Sequence, residues 1–163
     1  MSASNFQQIV RQLAESGVEY IVIGGLAATI HGSAYVTYDV GICYERSSPN
    51  VERLCRWLAP LHPVLRDVPK DLPFRFDPQT VLSGLNFTLD TDLGAIDLRG
   101  EMAPFGPFAA VLPFTETAEL FGYDVRILSL DGLIKAKQAA GRRKDLLILP
   151  ELEAMLELRK RPP

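Results

Sequence analysis

Residues 21–47 read "IVIGGLAATIHGSAYVTYDVGICYERS", and the folding of this stretch decides the rest. "VEYIVI" (18–23) is short, apolar and β-branched, which predicts a strand buried on both faces. Gly24 and Gly25 break it, "LAATIH" predicts a short helix ending at Gly32, and "YDVGICY" predicts the next strand. Side chains alternate along an extended chain, so position 41 shares a side with Asp39, and position 41 is glycine. A strand, two glycines and a short helix make a nest the size of a phosphate. Backbone without Cβ atoms approaches an anion closely, and helical N–H groups point at it.

Upstream, Ser4 is expected to cap a helix through about Glu15, with Phe6, Ile9, Val10 and Leu13 on one face and Gly17 as its stop. Downstream, Ser48 and Pro49 start a helix that runs to about Leu58. Residues 60–76 are rich in proline and read as irregular, and Asp77–Pro78 opens a short helix over 78–83. "LNFTLDT" and "AIDLRGE" read as a hairpin around Asp92–Leu93–Gly94. "EMAPFGPFAAVLPF" is a loop-rich insert, and its phenylalanines, with Phe74 and Phe76, suit a hydrophobic lid or an interface. "YDVRIL" (123–128) is a strand, and Ser129 caps a helix closed by Gly141. The tail "RRKDLLILPELEAMLELRKR" is helical, with a break expected near Pro150. The pattern predicts one mixed α/β (α+β) domain over residues 1–163.

The acids add chemistry. Asp97 stands among apolar neighbours in "AIDLR", a costly place unless it is paired, hydrogen-bonded or on a metal. Asp39 and Asp97 on neighbouring strands would converge on one Mg²⁺, which takes hard oxygen ligands and phosphate oxygens. Glu45 and Glu101 lie too far along their strands to join them, and Asp90 and Asp92 read as turn formers.

Composition narrows the classes. The 163 residues are 47% hydrophobic and 23% charged, ordinary for a globular chain. A net charge of −3 argues against a dedicated nucleic-acid-coating surface. Cys43 and Cys55 sit in apolar patterns and read as buried thiols, and no cysteine or histidine spacing suits a metal. "MSASNFQQIV" is no signal peptide, and no apolar stretch is long enough to span a membrane, so the expected location is cytoplasmic.

These residues resemble the nucleotidyltransferase superfamily, whose signature is a strand, Gly-Gly or Gly-Ser, a helix, and a strand with Asp-x-Asp or Asp-x-Glu. Gly24, Gly25, Ala27, His31, Gly32, Thr37 and Asp39 match the motif of small bacterial members. "NFTLDTDLGAIDLRGE" is similar to the strand of the third carboxylate, which would be Asp97, and "LIKAKQAAGRRKDL" to the C-terminal helix motif, with Lys137, Lys144 and Asp145. The resemblance covers about residues 15 to 157. It departs at Gly41, where the second acid belongs, and at Tyr35, where relatives carry arginine.

The resemblance implies a nucleotidyltransferase-like mixed sheet flanked by helices, with residues 129–160 a helical C-terminal extension. It implies transfer of a nucleoside monophosphate from a Mg²⁺-bound nucleoside triphosphate to a hydroxyl of RNA, protein or a small molecule. Asp39 and Asp97 would hold the metal, one ion rather than two. Gly24, Gly25 and Ser33 would cradle phosphates, and Lys137 and Lys144 would neutralise charge. Loss of one carboxylate should cost orders of magnitude in rate, since a single well-placed charge contributes ~3 kcal/mol or more. Relatives in toxin–antitoxin pairs imply a partner protein. The rival reading is a catalytically degenerate module that binds a nucleotide or a protein, and a third is a domain that dimerises through residues 102 to 115.

Overall fold

The structure, a computed structural model, describes residues 2–162. In chain order the elements are α1 (Ala3–Ser16), β1 (Tyr20–Ile23), α2 (Gly24–Ile30), β2 (Asp39–Tyr44), α3 (Ser48–Leu58), β3 (Val64–Leu65), α4 (Pro78–Ser83), β4 (Asn86–Thr91) and β5 (Gly94–Arg99). There follow β6 (Glu101–Met102), β7 (Gly106–Pro107), α5 (Phe108–Val111), β8 (Thr115–Leu120), β9 (Tyr123–Leu128), α6 (Leu130–Ala140) and α7 (Arg143–Lys160). Seven strands form a mixed sheet in the order β3-β4-β5-β2-β1-β9-β8, and β6 and β7 pair apart from it. Strand β2 runs parallel to β5 and antiparallel to β1, so it joins the two halves of the sheet.

Alternation along the strands sorts core from site. Val40, Ile42, Phe87, Leu89, Ile96 and Leu98 are buried, while Asp39, Gly41, Ala95 and Asp97 occupy the alternate, half-buried positions of β2 and β5. Strand β1 is central and nearly all apolar, as a strand covered on both faces should be. Helices α1, α3 and α4 form one packed group, and α2, α6 and α7 another. Trp57 belongs to the core and donates to Gln12. Burial pushes the Cys43 thiol up to about 12 and the Cys55 thiol up to about 11. Phe105 stacks on Phe114, and Phe76 meets Phe87 edge-on, so the phenylalanines form two clusters packed against the core. Among the described residues no helix is long and apolar enough to cross a membrane.

The structure corrects several expectations. Ser2, not Ser4, caps α1, because the capping oxygen must precede the first turn to reach its N–H groups, whereas α3 starts at Ser48 as expected, with Ser47 as its cap. Gly24 and Gly25 open α2 rather than precede it. Helix α7 runs unbroken through Pro150, whose face is exposed. "TETAEL", assigned to no element from sequence, is the edge strand β8. Asp92 stands in the β4–β5 turn, as expected, and is hydrogen-bonded to His62, while Asp90 lies within β4 and is ion-paired to Arg66.

One buried polar residue ties the first half together. Asn50, fully buried at the start of α3, accepts from the Glu19 N–H and donates to the carbonyls of Glu19 and Glu45. It thereby fixes the entry to β1 and the exit from β2. Asn50→Ala leaves the Glu19 N–H and the Glu45 carbonyl without this partner, at about 1–3 kcal/mol for each, while the Glu19 carbonyl still accepts from the Glu45 N–H. The expected thermal melt is lowered by on the order of 10 °C; a melt within two or three degrees of the parent would show that the linkage is dispensable.

Candidate functional site

The β2–β5 pairing sets Gly41 beside Asp97 and Asp39 beside Ala95. Asp39 and Asp97 therefore stand diagonally on one face, two positions apart in register. They form the floor of a cleft of about 450 Å³, whose walls include Gly24, Gly25, Tyr35, Thr37, Arg99, Glu101, Lys137, Arg142 and Lys144. The Thr37 hydroxyl donates to the Asp39 carbonyl at 3.0 Å and lies 3.4 Å from its Oδ1, which orients the acid.

The two glycines serve different ends. Gly24 adopts φ +63° with open space around it, so the backbone bend itself favours glycine. At Gly25 a Cβ would lie 2.8 Å from Thr37 Oγ1 and 3.1 Å from the Tyr35 ring, so its bareness lets residues 35–37 rest on the turn. At Gly41 a Cβ would lie 3.2 Å from Ile23 Cγ1. An acid fits there only if Ile23 yields by a few tenths of an ångström.

Burial first, and then the Asp39 carboxylate beside it, push the Asp97 carboxyl up to about 6, against the pull of Arg66 and Arg99. Asp97 Oδ1 is buried and has no hydrogen-bond partner, although Arg66 Nη2 lies 3.1 Å away. The guanidinium is near enough for attraction and misaligned for a bond. The ion pair to Arg66 offsets part of the cost of burying this anionic oxygen.

The opposite wall comes from the C-terminal helices. Asp145 is fully buried and binds Lys137 Nζ at 3.0 Å and Arg142 Nε at 2.7 Å. Burial works against its charge, but Arg142 and then Lys137 outweigh it and hold the carboxyl down to about 2. This cluster pins α6 to the first turn of α7.

Two solved structures share this architecture. A candidate nucleotidyltransferase from Thermotoga maritima matches with a TM-score of 0.60 over 99% of this chain and 97% of its own, at 15% identity. The fold is nucleotidyltransferase-like. An antigenic nucleotidyltransferase-like protein from Paracoccidioides brasiliensis matches with a TM-score of 0.54 over 97% of this chain and 78% of its own, at 17% identity. No protein-family model and no curated protein sequence matches the chain.

On this nucleotidyltransferase-like fold the residues singled out from sequence fall into two sets. Gly24, Gly25, Asp39, Asp97, Lys137 and Lys144 all line the cleft. Ser33 does not; it is buried, and its Oγ accepts from the Tyr35 N–H. His31 is also structural: its Nε2 donates to the Leu128 carbonyl, and its Nδ1 accepts from Arg159. Lys137 is occupied by Asp145, whereas Arg99 and Lys144 have no hydrogen-bond or ion-pair partner among the described residues. Sequence reading missed Arg99, although its parity with Asp97 could have revealed it. It also missed Asn86 and Arg142, which lie on the cleft wall, and Glu101 reaches that wall from β6.

A divalent cation can be tested against this donor set. Asp39 and Asp97 present hard carboxylate oxygens on one face of the cleft, the donor type that Mg²⁺ takes, and these two residues would hold such an ion. Among the described residues no group of three or more His, Cys, Asp or Glu is placed to hold a metal ion, so the two aspartates are the protein's own candidate donors.

The raised Asp97 pKa carries a sign for stability. The folded chain keeps this proton up to about pH 6, while the ordinary value is 3.8. Folding is therefore favoured less as pH rises between those values, and the charged form is a net cost above about 6. In metal-free buffer at pH 8, Asp97→Asn should melt higher than the parent by roughly 2–6 °C, and the difference should vanish below about pH 4. Melting curves across pH check this, and equal curves at pH 8 contradict it.

Proposed function

We propose that the cleft binds a nucleoside triphosphate with one Mg²⁺ and transfers the nucleoside monophosphate to a hydroxyl of RNA, protein or a small molecule, at a rate lowered by Gly41. The observation that carries this reading is the meeting of Asp39 and Asp97 beside the Gly24–Gly25 bend, at the floor of a cleft lined by Arg99, Lys137 and Lys144. Asp39 and Asp97 would hold the ion, and bound Mg²⁺ supplies positive charge to the phosphate oxygens, the main demand of this class of transfer. Arg99 and Lys144, the cleft cations without partners among the described residues, take phosphate charge directly. Lys137 acts chiefly through Asp145, which keeps the α6–α7 wall in place. Gly24 and Gly25 bring bare backbone to the cleft and leave room for phosphates. A partner protein of the toxin–antitoxin kind enters this reading through the resemblance of residues 24–39 to such relatives.

Calorimetry with each nucleoside triphosphate, with and without Mg²⁺, tests the reading. Binding should need the ion, and Arg99→Gln should weaken it about ten- to a hundredfold, the loss of one charge-assisted contact. Labelled triphosphate offered with candidate acceptors then tests transfer. Absence of Mg²⁺-dependent binding for all four nucleotides removes the proposal.

Gly41 supports a second reading, a nucleotide- or protein-binding module that has lost catalysis. Gly41→Asp separates the two. It places a third carboxylate beside Asp97, so the metal-free protein should melt lower and gain more from Mg²⁺ than the parent does. An enzyme lacking one ligand should also gain transfer activity by at least tenfold. Gain of Mg²⁺ response without transfer favours the binding module.

A further inference from the structure

The acidic pair has a resident cation behind it. Arg66 immediately follows β3, and its N–H donates to the Thr88 carbonyl of β4. Its side chain then crosses β4 towards β5. Nη2 donates to the Leu89 carbonyl at 2.7 Å, Nε donates to Asp90 Oδ1 at 3.1 Å, and Nη2 stands 3.1 Å from Asp97 Oδ1. The guanidinium is thus held by three neighbours, and it forms no part of the cleft wall. Asp97 faces Arg66 from the β4 side and Asp39 from the β2 side. Arg99, by contrast, stands on the cleft wall and is free to meet a ligand.

We propose that Arg66 is a built-in counter-cation for Asp97 that limits the cleft to one divalent cation, held firmly only together with a polyphosphate. The inference rests on the cation-and-nucleotide reading above. Two carboxylates face the fixed guanidinium of Arg66 and, on the wall, Arg99, so the cleft floor keeps at most a single net negative charge. One such charge attracts a hydrated divalent ion weakly, because the ion must shed water to bind. A polyphosphate brings the remaining negative charge with it. Pinning the chain to β4 needs only the Leu89 and Asp90 contacts, so the approach to Asp97 is left for an electrostatic role. Arg66 is on this account a positioning residue, acting through Asp97.

The test is titration with Mn²⁺, followed by water-proton relaxation at pH 8 without nucleotide. Arg66→Gln removes the charge and should tighten Mn²⁺ binding by about tenfold or more. Arg66→Lys keeps the charge and should stay within about threefold of the parent. Adding Asp97→Asn to Arg66→Gln should abolish the gain. If the parent binds Mn²⁺ and Arg66→Gln binds it no better, the role given to Arg66 is wrong and the cation-and-nucleotide reading stands. The role is equally wrong if Arg66→Lys binds as tightly as Arg66→Gln, because charge would then not be the cause. If Arg66→Gln does not fold, Arg66→Met takes its place, keeping an unbranched side chain without the charge: Mn²⁺ binding tightened about tenfold upholds the role, and binding within about threefold of the parent overturns it. If neither the parent nor any variant binds Mn²⁺, with or without a nucleoside triphosphate, both readings fall.

Discussion

Two carboxylates share one face of a sheet, close enough for Asp39 to oppose the ionisation of Asp97, and the site depends on that repulsion being tolerated. The parallel register of β2 and β5 creates it, because it sets Asp39 two positions from the residue beside Asp97. The cost shows in the raised Asp97 pKa and in the oxygen left without a hydrogen bond. Arg66 and Arg99 relieve part of it. A neutral residue at position 97 would remove the cost of burying that charge.

Gly41 sits at the centre of this arrangement. It lies beside Asp97 on one side and beneath Ile23 on the other. The missing side chain lowers the negative charge of the floor and leaves the cleft open there. The Ile23 side chain closes part of the space that a second acid would need. The departure at this position is thus more than the loss of one ligand, since its hydrophobic neighbour lies close over the gap.

Much of this was legible in the sequence. Asp77–Pro78, Ser129 and Gly141 marked helix ends because caps and stops act over three or four residues. The cleft floor was legible because strand alternation puts Asp39 and Asp97 on definable sides. Contacts between distant segments were not. Asp145 claims Lys137 from eight residues away, and Arg66 reaches Asp97 across a whole strand. Strand β8 was hidden by its composition, since an exposed edge strand needs few apolar residues. Pro150 was misread because a proline on the outer face of a long, packed helix is carried by tertiary contacts on the inner face, where Ile148, Leu149 and Leu152 are buried.

The two thiols have a practical consequence. Cys43 is sealed in the sheet and Cys55 in α3, and burial keeps both protonated far above neutral pH. Alkylating and oxidising reagents act on the thiolate. The folded chain is therefore nearly silent to maleimides, and a cysteine introduced at the exposed Tyr38 or Leu147 would carry a spectroscopic label almost alone. The separation between β2 and α7 can then be followed in the native background, with neither natural cysteine replaced.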